Sequence, residues 1–178
     1  MSVAQLTPRE IAQAIRNVPD FPKAGVQFKD ITPVLADSRL FAGTVELLTS
    51  HFQPGEVDAV VGIDARGFIF AAAAAMRLRA GFVPVRKQGK LPCQTLEQEY
   101  ALEYGRATVA IHADALQPGS RVLLVDDLLA TGGTAAAAAA LVGRLGGTIL
   151  EAAFVIELTF LEGRAKLPGL PIHSLVTY

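Results

Sequence analysis

Three stretches of this chain leave no face of a strand for solvent. "VDAVVGI" (57–63), "RVLLV" (121–125) and "TILEAAFVIEL" (148–158) are almost continuously apolar. A strand with one wet face alternates polar and apolar residues, so strands without alternation must be covered on both sides. "GFVPVR" (81–86) reads as a further strand of the set. Between these segments stand "RGFIFAAAAAMRLR" (66–79) and "GTAAAAAALVGRL" (133–145), two helices whose alanines suit close packing on a sheet. The alternation predicts an α/β fold: an open, mainly parallel sheet with helices on both faces.

The rest of the chain is less regular. "TPRE" (7–10) starts a helix, with Thr7 as cap, Pro8 in the first turn and Glu10 closing a capping box. That helix is expected to run to about Asn17. Residues 18–33 contain Pro19, Pro22, Gly25 and Pro33 and read as irregular. Asp37 caps a second helix, with Leu40, Phe41, Leu47, Leu48 and Phe52 expected inside. Residues 87–98 are polar and read as irregular. "QEYALEYG" and "ATVAIH" read as two strands joined by a tight turn at Tyr104–Arg106.

The 178 residues are expected to form a single domain, 1–178. Lys and Arg number 16 against 17 Asp and Glu, for a net charge of −1, so the basic excess of a nucleic-acid binder is absent. The single cysteine, Cys93, makes no internal disulfide. His51, His112 and His173 lie far apart in sequence, share no motif, and are expected in structural or surface roles. The N-terminus lacks the features of a signal peptide, and the longest apolar runs fall short of the ~20 residues of a membrane span. The expectation is a soluble, cytoplasmic chain with no membrane partner.

In an open parallel sheet, ligands bind beyond the carboxyl ends of the strands. Three strands end in chemically marked loops there. The first is Asp64-Ala65-Arg66-Gly67, the second Arg86-Lys87-Gln88-Gly89-Lys90, and the third Asp126-Asp127 followed by Ala130-Thr131-Gly132-Gly133-Thr134. Gly132 and Gly133 admit positive φ and bring backbone N–H groups close to a ligand, while Thr131 and Thr134 add hydroxyls. The helix beyond presents free N–H groups and a positive dipole end, which favour phosphate. Neither a Walker lysine nor a G-x-G-x-x-G is present. The two carboxylates must therefore face another part of the same ligand, and a sugar diol carrying a phosphate on its far carbon satisfies both halves.

"VLLVDDLLATGGT" resembles the donor-binding motif of the type I phosphoribosyltransferases. "IRNVPDFPKAGVQFKDITPVL" (15–35), "GIDARGFIF" (62–70), "VRKQGKLP" (85–92), "LEYG" (102–105) and "IELTFLEGRAKL" (156–167) are similar to the branch of that family acting on adenine. The resemblance covers most of the chain, in order. It implies transfer of phosphoribose from phosphoribosyl diphosphate to N9 of adenine, giving AMP and pyrophosphate, with Mg²⁺ as cofactor.

Carried over residue by residue, the resemblance puts Asp126 and Asp127 on the ribose hydroxyls and, through water, on Mg²⁺. Residues Ala130–Thr134 then hold the 5′-phosphate. Arg66, Arg86, Lys87 and Lys90 surround the pyrophosphate. Val26, Gln27, Phe28 and Lys29 line the base pocket within a hood formed by residues 1–35. Phe28 stacks on the purine; the residues alone leave an ordinary core role for it equally open. Glu103 contacts N7 of the base, against the commoner fate of a solvated strand glutamate. Tyr104 helps close a flexible catalytic loop, 87–104, in which Lys87 also acts. Three departures from the family pattern are Cys93 and Ala71, each in place of a usual glycine, and Gln27 at a usually apolar position. A homodimer is expected from the resemblance. The rival readings are transfer to a 6-oxo purine and a non-catalytic sensor of the donor.

Overall fold

The computed structural model describes residues 6–101 and 105–178, which fall into two compact units divided between Leu47 and Leu48. The first unit contains helices α1 (Pro8–Ala14), α2 (Thr32–Ala36) and nearly all of α3 (Ser38–Leu48), with strands β1 (Arg16–Pro19) and β2 (Gln27–Asp30). The capping box at Thr7 and Glu10 forms as expected, but α1 stops at Ala14. The chain then enters an antiparallel ribbon with Arg16 opposite Asp30 and Pro19 opposite Gln27. This corrects the irregular reading of residues 18–33. Neither four-residue strand alternates in burial, so no periodic signal marked them. Asp37 does cap α3, its Oδ1 accepting from the N–H groups of Arg39 and Leu40, each at 2.9 Å. Of the expected buried set only Leu48 is fully inside; Leu40, Phe41, Leu47 and Phe52 are half-buried, and Thr44 and Val45 take the inner positions.

The second unit is built on a seven-stranded sheet in the order β5-β6-β4-β3-β7-β8-β9. Its strands are β3 (Ala59–Ile63), β4 (Gly81–Lys87), β5 (Thr95–Ala101), β6 (Arg106–His112), β7 (Arg121–Leu129), β8 (Thr148–Glu157) and β9 (Ile172–Thr177). The five strands from β4 to β9 in that order are parallel, and β6 and β5 extend the edge antiparallel. Two helices cover the faces: α4 (Gly67–Leu78) and α5 (Gly133–Arg144). Strand β3 shows why polar residues are excluded from it. Ala59, Val61 and Ile63 join the core that includes Ala138, Leu141 and Val142 of α5. Its alternate position Gly62 meets α4 so closely that an added Cβ would lie 2.6 Å from Ala71 Cβ. The strands supply the large buried side chains, at about 1.5–3 kcal/mol each, and the alanine helices supply the close approach.

Two readings of the second unit need correction. Strand β5 begins at Thr95, so only the first part of residues 87–98 is irregular. Strand β7 continues through Asp126 and Asp127 to Leu129, so the acid pair lies within the strand and not in a loop after it.

Candidate functional site

Strands β4, β3 and β7 are adjacent and parallel, so the loops that follow them emerge on one rim. The pairing of β7 with β3 ends at Val125, opposite Gly62, while its pairing with β8 continues to Leu129. The two carboxylates therefore begin where β7 loses one neighbour. Asp127 is buried and Asp126 half-buried. Asp126 Oδ1 accepts from the Asp127 N–H at 2.8 Å. It also lies against Gly67 at the start of α4, where a Cβ would come within 2.5 Å of that oxygen. Asp127 Oδ2 pairs with Arg66 Nε at 2.8 Å. Burial pushes the Asp126 carboxyl well above its ordinary range, and the charge of Asp127 adds to this. Burial also raises Asp127, with the Arg66 guanidinium opposing. Paired oxygen donors in that condition fit a hard divalent cation, which restores the charged forms.

From β7 the chain turns through Ala130–Gly132 into α5. Gly132 sits at φ 76° as the helix N-cap, and no side chain caps this end. The first N–H groups of α5 are thus left to face an anion. Asp126, the turn and the first residues of α5 line one cleft. Gly132 and Gly133 are buried, Thr134 is half-buried and Thr131 is exposed. The structure therefore unites the acid pair, Arg66 and the glycine turn. Arg86 engages different groups: its Nε reaches Asp64 Oδ2 at 3.1 Å, and its Nη1 donates to the Lys90 carbonyl at 3.2 Å. Lys87 and Lys90 are exposed. A cis peptide joins Asp64 to Ala65 in the loop before Arg66.

In the first unit, Val26 leads into β2 and Gln27, Phe28 and Lys29 lie within it. Phe28 is half-buried and meets Phe21 edge-on, with ring centroids 5.1 Å apart. The Asn17 side-chain amide donates to Gln27 Oε1 at 2.9 Å. Glu103 and Tyr104 lie outside the described residues.

Sequence reading placed Asp64 in a marked loop without giving it a partner, and it missed the other supports. Asp64 holds Arg86, and Tyr100 borders Gly133 at the start of α5. The turn rests on Gly163: a Cβ on Gly132 would strike the Gly163 carbonyl oxygen, and one on Gly163 would strike that of Ala130. The Gly163 segment is in turn held by Arg164, which forks onto the buried Glu157 with Nε–Oε1 2.6 Å and Nη2–Oε2 2.7 Å. The signal for these was the "LEGRAKL" string, whose glycine and arginine had no stated task.

A family model described as "Phosphoribosyl transferase domain" matches residues 34–166. An adenine phosphoribosyltransferase of Chloroflexus aurantiacus is 53% identical over 173 residues, covering 97% of this chain and all of that protein. The crystal structure of adenine phosphoribosyltransferase from Rhodothermus marinus is 53% identical, with TM-score 0.91 over 96% of this chain and 98% of that one. The Saccharomyces cerevisiae enzyme, complexed with an imino-altritol bisphosphate and adenine, is 41% identical, with TM-score 0.89 over 94% and 97% of the two chains.

Proposed function

This chain belongs to the adenine phosphoribosyltransferases, and from that premise we propose how its own residues carry the reaction. The enzyme transfers 5-phosphoribose from phosphoribosyl diphosphate to N9 of adenine, releasing pyrophosphate and forming AMP. The observation that carries the site assignment is the continuity of β7, the glycine turn and α5. A strand carrying two adjacent carboxylates runs through a glycine turn into a helix start that no side chain caps.

In this reading Asp126 and Asp127 accept hydrogen bonds from the ribose hydroxyls, and the N–H groups around Gly132–Thr134 hold the 5′-phosphate. Arg66 leaves its pairing with Asp127 to meet the pyrophosphate, together with Arg86, Lys87 and Lys90. Preorganised cations at the departing charge are the largest catalytic contribution in such a site. Asp126 and Asp127 would hold Mg²⁺, and the chemistry it would supply is neutralisation of the leaving pyrophosphate. The segment 87–104, whose Thr95–Ala101 part is strand β5, excludes water from the donor in this reading.

Residues 1–35 serve as a hood for the base. Val26, Gln27, Phe28 and Lys29 line its pocket, with Phe28 stacked on the purine and backbone groups reading the exocyclic amine. Glu103 holds a proton at N7, keeping the base in its reactive tautomer, and Tyr104 helps close the loop. Glu103→Leu is expected to lower kcat/KM for adenine by about 100-fold, the low end for acid–base catalysis. Unchanged kcat/KM would return Glu103 to a solvated strand face.

Among the described residues no helix is long and apolar enough to cross a membrane. The family resemblance supports a cytoplasmic homodimer, which light scattering on the purified chain tests. The deciding experiment for function is pyrophosphate release from phosphoribosyl diphosphate with a panel of bases, with and without Mg²⁺. Adenine turnover that needs Mg²⁺ is expected. Preferred turnover of a 6-oxo purine would overturn the base assignment, and donor binding without base-dependent release would make the chain a sensor.

A further inference from the structure

Two of the three histidines converge on one buried carboxylate, far from the rim that carries the reaction. His51 follows α3, Glu151 lies early in β8, and His173 is the second residue of β9. His51 Nδ1 stands 2.7 Å from Glu151 Oε2, and His173 Nδ1 stands 3.6 Å from Glu151 Oε1. The two imidazoles stack with centroids 4.4 Å apart and planes 23° apart. One donor atom from each of the three residues falls within 4.8 Å of the other two.

The cluster is polar beyond what its own hydrogen bonds satisfy. Glu151 is 7% exposed, yet Oε1 is buried without a hydrogen-bond partner, as is His173 Nδ1 facing it. Leaving two such buried atoms unpaired is costly, and a cation held between them would remove that cost. Both orphaned atoms are lone-pair donors when the imidazole is in the matching tautomer, and they stand 3.6 Å from each other. His51 is more than half exposed, which leaves an entry path and room for a water in a further position.

We infer that His51, Glu151 and His173 form a binding site for a late first-row divalent cation of the Zn²⁺ class. Two imidazole nitrogens and one carboxylate oxygen form a mixed donor set that suits Zn²⁺ with an open fourth position. Mg²⁺ and Ca²⁺ prefer oxygen donors alone, so the site is chemically distinct from the Asp126–Asp127 pair. It is also remote from that pair: Glu151 is in register with Leu123, whereas Asp126 is in register with Phe154, three residues or about 10 Å further along β8. Binding needs the stacked rings to splay, which the exposed His51 permits.

The test is titration of the metal-stripped full-length protein with ZnCl2 in excess Mg²⁺, followed by calorimetry and imidazole ¹H–¹⁵N spectra. One Zn²⁺ per chain is expected, with the resonances of His51 and His173 shifted and those of His112 unmoved. His51→Gln and His173→Gln should each weaken binding at least ~10-fold, the smaller end of effects around metal ligands, with adenine turnover in Mg²⁺ retained. No binding, or Zn²⁺-induced shifts confined to His112, would overturn the site. Unchanged affinity in both variants would do so too. The wild-type spectra decide the matter even where a variant folds poorly.

Discussion

Gly132 meets two demands that no other residue type meets together. Its φ of 76° lies in the left-handed region, and its would-be Cβ points into the Gly163 carbonyl oxygen. The conformation alone costs a non-glycine residue about 1–2 kcal/mol, and the backbone contact cannot be relieved by rotating a side chain. Gly132→Ala is therefore expected to lower stability by about 1–3 kcal/mol and to raise KM for the phosphoribosyl donor. Urea denaturation and steady-state kinetics check the two effects separately. Wild-type KM in a destabilised variant would detach the turn from phosphate binding. Asp127 makes a different demand, for charge and not for space. Its carboxylate is buried and answered by Arg66, so Asp127→Asn keeps the shape and removes the ionic acceptor. Loss of hydrogen bonds to a charged group is worth about 1.5–3 kcal/mol, so KM for the donor should rise roughly 10- to 100-fold. An unchanged dependence of rate on donor concentration would exclude a diol-reading role.

At the scale of elements, the first helix shows how much one arginine from another helix can contribute. Glu10 closes the cap of α1 and also binds Arg39 of α3 at 2.7 Å. The Arg39 hydrogen bond, followed by those at Thr7, draws the Glu10 carboxyl down to about 2 from 4.5. A depressed carboxylate stabilises the fold fully above its unfolded value, and that contribution disappears as pH falls from about 4.5 through about 2. A ¹³C carboxyl titration should place Glu10 near the lower value, and Arg39→Ala should move it upward. A wild-type midpoint near 4.5 would contradict the pairing. Which elements were legible in the sequence follows from the same logic of partners. Strands β3, β7 and β8 announce themselves because burial on both faces leaves long apolar runs in them, interrupted only by acids such as Asp126, Asp127 and Glu151. Strands β1 and β2 do not, since four residues without alternation are outweighed by the prolines and glycine around them. The extra length of β5, Thr95–Glu97, is hidden by its outward Glu97 within a polar stretch.

At the scale of the molecule, the proposed donor half of the site was readable because Asp126 to Thr134 is contiguous: one strand, one turn and one helix start. The groups that support it were not. Gly163 reaches the turn, with Arg164 holding its segment, only after β8 brings the chain back. The separate His51–Glu151 contact was hidden for the same reason, since it spans a hundred residues that no local pattern covers. A ligand that bridges β7, α5 and the loop before α4 should then stabilise the whole second unit. Mg²⁺ with phosphoribosyl diphosphate at about 100 times its Kd adds about 2.7 kcal/mol to the folded state. For a chain of this length each kcal/mol is worth about 2–4 °C, so Tm should rise by about 5–10 °C in a thermal scan. Asp127→Asn should lose most of that rise at the same donor concentration and regain it when the donor is raised in proportion to its weakened affinity. A rise that persists undiminished in this variant would mean that the donor binds elsewhere on the molecule.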